Sequence, residues 1–468
     1  MGLLIKGGEI VTASDRYVAD IRVDGGTITG IGTNLEARTG DETLDAAGKL
    51  VMPGFIDPHV HMELPFMGTV SADDFESGTA SGIAGGTTCI IDFCMQGAGQ
   101  TLPQAIEEWH KRSAKAVTDF TYHMAITNFG PNTPAEMREV VEKHGITSFK
   151  VFMAYKGAIM VDDGQLYLIM KEAAKLGAVV TVHAENGEAV WNLQRELVAA
   201  GCMGPEYHPI SRPSAIEGEA TERALMMARL HGTTAYIVHM TCKEAVHALE
   251  RAKLSGQRCY GETCPQYLLL DDSVFTKPDF GGSAFVMSPP IRPGHVGHHD
   301  ALWAGVANRM LDSMGTDHCP FTHEQKKAGL GDFTKIPNGA AGIEDRLTLM
   351  YSYGVRGGHF DVQRMVELGS TAPARIFGLA RKGSIAVGMD ADIVIYDPSG
   401  EGTRSAKTHH SRCDRNIFEG FKTYGHVATT IVNGKVAWDG KKLMTTRGSG
   451  RFVTRKPSHF AQHAEVKV

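Results

Sequence analysis

Between residues 55 and 317 the chain repeats one pattern eight times: a short apolar run, a turn, and in most cases an amphipathic stretch with helical spacing. The runs occupy residues 55–61, 87–93, 121–127, 148–153, 179–183, 235–240, 258–263 and 313–317. Several are apolar on both faces, as strands of a parallel sheet are, and parallel neighbours need a crossover between them. Stretches at 102–116, 134–144, 163–176, 215–230 and 243–254 supply such crossovers, several opening on a capping residue or proline. Eight strand–helix units within residues 53–379, about 320 residues, predict an α/β chain built on a (β/α)8 TIM barrel, whose chemistry lies at the C-terminal ends of its strands.

The flanks follow another rule. Residues 1–52 alternate apolar and polar side chains around turns such as Val23-Asp24-Gly25-Gly26-Thr27, and residues 384–396 and 430–438 do likewise, the last around Asn433-Gly434. Asn-Gly between alternating residues is a hairpin signal. We therefore expect residues 1–52 plus 380–440 to form one composite β-sandwich, residues 53–379 the barrel, and residues 441–468 a C-terminal tail.

Six residues at the ends of these runs carry metal chemistry. His59 and His61 stand two apart on a strand and so share a face. His183 and His239 each follow an apolar run, Lys150 interrupts one between two aromatics, and Asp317 closes the last. Four imidazoles at one barrel mouth suit zinc, manganese, cobalt or nickel, with zinc favoured for its flexible coordination and lack of redox chemistry. An ammonium at Lys150 would be opposed by desolvation and by nearby dications. A neutral amine there could add CO2 and become a bridging carbamate; the alternative is a lysine whose stem packs on the strand while its head reaches water. Asp317 is the candidate general base and acid, against the plainer reading of a helix cap. His318 and Cys319 are read as supporting or packing residues.

Global charge points away from nucleic acid: the net charge is −6, and no basic run is interleaved with aromatics. The eight cysteines lack a CxxC pair, which favours free thiols and a cytoplasmic location. No segment is apolar enough for a membrane span or a secretory signal, and Lys6 spoils the myristoylation pattern begun by Met1-Gly2.

Taken together, HVH at 59–61, SFKVFMAYK at 148–156, VHAENGE at 182–188, IVHMTCKEA at 237–245, SPPIR at 288–292, TDHC at 316–319 and IPNGAAGIEDR at 336–346 closely resemble the dihydropyrimidinase and D-hydantoinase group of cyclic amidohydrolases. The loop MELPFMGTVSADDF at 62–75 looks more like the dihydropyrimidinases. The resemblance implies two Zn²⁺ ions: His59, His61 and Asp317 on one, His183 and His239 on the other, with carboxylated Lys150 and a hydroxide bridging them. It implies catalytic roles for Asp317 and for Tyr155 as donor to the oxyanion. Ser288 and Asn338 would hold the ureide part of the substrate through backbone groups, and Leu64, Phe66 and Phe152 would form an apolar wall. Glu63 departs from the uncharged residue expected there, which leaves the details of the pocket open. A homotetramer is implied, with the tail packing on a neighbouring subunit.

The implied reaction is hydrolytic opening of 5,6-dihydrouracil or dihydrothymine to the N-carbamoyl-β-amino acid, and of 5-monosubstituted hydantoins. The rival readings are an allantoinase or dihydroorotase, a mononuclear deaminase with unmodified Lys150, and a non-enzymatic assembly protein on the same scaffold.

Overall fold

The computed structural model describes residues 2–459. Its central element is an eight-stranded parallel sheet: β1 (Phe55–Val60), β2 (Thr87–Met95), β3 (Asp119–Ala125), β4 (Ser148–Phe152), β5 (Val179–His183), β6 (Thr234–Ile237), β7 (Cys259–Thr263) and β8 (Ser313–Met314). Strands two to five are buried along almost their full length, which is why their sequences are apolar on both faces. Helices such as Leu102–Ser113, Asp163–Leu176 and Lys243–Leu254 make the crossovers. Capping boxes at Thr101/Gln104 and Asp162/Gln165 begin two of them.

Two strands are shorter than the apolar runs suggest, and one cause explains both. β6 stops at Ile237 and β8 at Met314, because His239 (φ 38°) and Asp317 (φ 54°) adopt the left-handed backbone conformation just beyond. The chain leaves the ladder there in order to aim those side chains.

With β8 only two residues long, the seam between β8 and β1 is closed mainly by buried side chains. Arg346 donates to the carbonyls of Ile56 and Met314, both at 2.9 Å, and to Thr87 Oγ1 at 3.2 Å. Asp57 on β1 accepts from Thr316 Oγ1 at 2.6 Å and from Thr316 N at 3.2 Å. Higher up, His61 N donates to His318 O at 2.8 Å.

The two ends of the chain share one mixed eight-stranded sheet. Its path runs Lys435–Trp438, Lys422–Val432, Ile393–Thr403, Leu50–Pro53, Leu3–Val11, Arg16–Asp24 and Thr27–Gly32, with Glu42–Asp45 beside Leu3–Val11. Asn433 (φ 51°) and Gly434 (φ 74°) make the expected tight turn. The stretch before Ile393 is turn rather than strand, with Gly383 and Gly388 at φ 80° and 92°. The described part of the tail lies on its own barrel: Phe120 N donates to Arg451 O, and Val453 N to Phe120 O. The part of the expected subunit-contacting tail beyond His459 lies outside the described residues.

Lys382 joins the terminal sheet to the barrel. Its buried ammonium bonds Asp119 at the start of β3 (2.7 Å) and Asp392 just before Ile393, while Arg451 also pairs with Asp119 at 2.9 Å. With Arg381 pairing with Asp390 at 2.8 Å, the three carboxylates of Asp119, Asp390 and Asp392 face three cationic side chains. Removing one member of such a buried network strands the others, at about 3–5 kcal/mol. Lys382→Met should lower unfolding stability by that amount in a urea titration; a loss under about 1 kcal/mol would contradict the link.

Candidate active site

At the C-terminal mouth of the barrel all six expected ligand side chains line one cavity of about 750 Å³, together with Leu64, Phe66, Phe152, Tyr155, Ser288 and Asn338. The ligand atoms face each other in two sets. His59 Nε2 and His61 Nε2 each lie 3.1 Å from Asp317 Oδ1. His183 Nδ1 and His239 Nε2 lie 3.0 Å apart. Two nitrogens bound to one zinc at about 2.0–2.1 Å in a tetrahedron stand roughly 3.3 Å apart, so each of these pairwise contacts has the span of two donors on one ion, while the three-donor group that converges is His59, His239 and Asp317, which crosses the two sets. His59 Nε2 has no hydrogen-bond geometry toward any partner despite its closeness to Asp317, which leaves that nitrogen free for a cation.

Lys150 completes the arrangement. It is 0 % exposed, its Nζ has no hydrogen-bond partner, and that atom lies 4.7 and 4.9 Å from the ring centres of Phe93 and Phe152. Burial pushes its amine down to about 7, so the neutral form needed to take up CO2 is accessible near neutrality. The donor set of imidazoles, a carboxylate and a carboxylatable amine fits divalent zinc.

Outer residues hold these ligands in orientation. Glu262, buried at the end of β7, accepts from His59 Nδ1 at 2.6 Å, from Tyr236 Oη at 2.7 Å and from the backbone N of the left-handed His239 at 3.0 Å. Glu185 accepts from His183 Nε2 at 2.8 Å and from Arg212 at 2.5 Å. Burial opposes charge on Glu185, but Arg212, His183 and Arg292 together outweigh it and hold that carboxyl at about 2. Each of these contacts fixes which ring nitrogen faces the centre. Burial also acts against His59, yet Glu262 and Asp317 hold its imidazole up at about 9; a bound dication would take the place of that proton. His61, lacking a comparable second carboxylate, is pushed by burial down to about 4.

The substrate side is built from loops. Leu64 and Phe66 pack with Met95, Cys319 and Phe321, and Phe66 and Phe152 stand 5.6 and 6.1 Å from the Tyr155 ring. Phe66 sits on a two-residue hairpin turned by Met67 (φ 48°) and Gly68 (φ 79°). Asn338 Nδ2 donates to Ser288 Oγ at 2.9 Å. Desolvation pushes the Tyr155 phenol up to about 12, so it remains a donor. Glu63 turns away from the cavity to pair with Lys115 at 2.7 Å, so its charge lies outside the cavity lining.

Sequence reading missed Glu262, Glu185, Arg212 and Asp57. The first ends a barrel strand, as the named ligands do, and was open to detection on that ground; the others gain their meaning only from long-range partners.

The amidohydrolase family model matches residues 50–437. The chain is 46 % identical to the D-hydantoinase of Geobacillus stearothermophilus over 458 residues, 97 % of each. It is 43 % identical to the dihydropyrimidinase of Arabidopsis thaliana over 462 residues, 98 % of this chain and 86 % of that one. The crystal structure of dihydropyrimidinase from Brevibacillus agri superposes with a TM-score of 0.96 at 44 % identity, covering 99 % of this chain and 100 % of the other. With this likeness extending along nearly its whole length, the chain belongs to the amidohydrolase family, in its dihydropyrimidinase and D-hydantoinase group.

Proposed function

We propose that this protein opens the ring of 5,6-dihydrouracil and dihydrothymine to give N-carbamoyl-β-amino acids, and that it also opens 5-monosubstituted hydantoins. The observation that carries the reading is the buried, unpartnered Lys150 amine set among four imidazoles and Asp317. His59, His61 and Asp317 would hold one zinc ion and His183 and His239 a second, with carboxylated Lys150 as the bridge. When bound, the two ions would lower the pKa of water toward about 7 and polarise the ring carbonyl.

The protein's own groups manage the protons. As water adds to the carbonyl carbon, Asp317 accepts its proton; as the ring C–N bond breaks, Asp317 returns that proton to the departing nitrogen. Tyr155 donates to the oxygen on which charge accumulates. Ser288 and Asn338 hold the ureide, and Leu64, Phe66 and Phe152 take the ring substituent. This apolar wall favours an uncharged ring over the anionic dihydroorotate.

Leu168, Trp191 and Met226 are exposed on the outer barrel helices Asp163–Leu176, Gly187–Ala199 and Ser214–His231, and offer apolar surface for the subunit contacts of a homotetramer. All eight cysteines are free, in keeping with a cytoplasmic location, and no helix among the described residues is long and apolar enough to cross a membrane. Residues 1–52 plus 380–440, residues 53–379 and residues 441–468 serve as its structural divisions.

Three experiments test the chemistry. Lys150→Ala should lose bound metal and about 10³-fold or more in activity together, with partial rescue by a small carboxylic acid; a fully active variant would remove the bridge. Tyr155→Phe should keep its metal while kcat falls about 10²- to 10³-fold, and an unchanged kcat would take Tyr155 out of the reaction. In a panel of dihydrouracil, a 5-substituted hydantoin, allantoin and dihydroorotate, the first two should be hydrolysed best, and preference for dihydroorotate would overturn the substrate assignment.

A further inference from the structure

Lys326 is, with Lys382, a buried lysine outside the metal centre, but it has no carboxylate partner. It closes the short helix His323–Lys326 and is 1 % exposed. Its Nζ donates to Val286 O at 2.9 Å and to Gly339 O at 2.8 Å. An ammonium pulled from water onto two carbonyls, with no carboxylate to neutralise it, is costly, and burial pushes this amine down to about 7. A residue that serves packing alone has no need of such a group.

What it joins is specific. Val286 lies two residues before Ser288 on the segment after β7, and Gly339 directly follows Asn338 on the segment after β8. The same two segments are linked by Gly339 N donating to Val286 O at 2.9 Å and by Asn338 Nδ2 donating to Ser288 Oγ at 2.9 Å. From the other side the second segment is held against the barrel: Cys319 N donates to Ala340 O at 2.9 Å, and a Cβ on Gly339 (φ 141°) would lie 2.3 Å from Cys319 O. With that side fixed by close contact, Lys326 sets the separation of the two segments on the other.

We propose that Lys326 is a positioning residue that locks the Val286–Ser288 and Asn338–Gly339 segments together, so that their backbone groups meet the ureide edge of the substrate. The inference rests on the assignment of Ser288 and Asn338 to substrate binding. It separates two duties of the pocket: Lys150 serves the metals, and Lys326 serves recognition of the ring.

The test compares dihydrouracil with its N,N′-dimethyl derivative, which lacks the ring N–H donors that backbone carbonyls would accept. KM is measured for the first, and an inhibition constant for the second, with metal content followed in parallel. Wild-type protein should favour the unmethylated ring. Lys326→Met should raise KM for dihydrouracil about 10-fold, the loss of one or two well-aimed hydrogen bonds, while kcat stays within about threefold and metal content is unchanged. Its inhibition constant for the dimethyl ring should hardly move, so the preference collapses. An unchanged KM, or equal weakening of both ligands, would overturn the proposal. A wild-type protein indifferent to methylation would instead overturn the assignment of Ser288 and Asn338, and this inference with it. Should the methionine variant not fold, Lys326→Gln is read by the same ratio.

Discussion

A primary amine with no hydrogen-bond partner, buried among four imidazoles and two phenyl rings, is the constraint from which the rest of this site follows. Left as an ammonium it would be desolvated, uncompensated and repelled by any bound cation. Conversion to a carbamate removes that conflict, because the added carboxylate turns the most unfavourable charge at the barrel mouth into an anionic ligand. In the proposed arrangement that carboxylate would be the common bridge between the histidines on either side of it. Glu262 and Glu185 each meet a histidine on the nitrogen turned away from the centre, so the buried carboxylates reinforce the same orientation.

The barrel is deformed to meet this demand. His239 and Asp317 both occupy left-handed backbone conformations that non-glycine residues rarely adopt, and β6 and β8 end early as a result. Strain of this kind costs about 1–3 kcal/mol per residue and persists only where the surroundings overdetermine it. Here the surroundings are identifiable: Glu262 accepts from the backbone of His239, and Arg346 and Asp57 close the seam below Asp317. Stability and the proposed chemistry thus meet in the same few buried charges, and the weakest strand pairing of the barrel lies beside Asp317, the proposed general base.

Much of this was legible in the residues alone. The eight apolar runs mark the strands, and the candidate ligands other than Lys150, which lies within Ser148–Phe152, stand near or just beyond their ends because parallel barrel strands all point their C-terminal ends to one face. Asn433-Gly434 marks its hairpin by the same local logic. The termination of β6 and β8 was not legible, since an apolar run does not show where a later residue turns left-handed. Glu63 looked like an intruder in the pocket until Lys115, fifty-two positions away, was placed beside it. Arg346, Lys382 and Lys326 read as ordinary surface cations in a sequence; only the fold shows that each is buried and joins distant segments. Charges whose partners are remote in the chain carry no periodic signature, and this is the part of the site that sequence alone withholds.

The most direct measurement is the intact mass of the native protein at neutral pH, paired with a metal count on the same sample. Two zinc ions per chain, with a mass gain of one CO2 that localises to Lys150 and vanishes on acidification, is the expected result. A fully metallated, active protein in which Lys150 carries an unmodified amine would contradict the central claim.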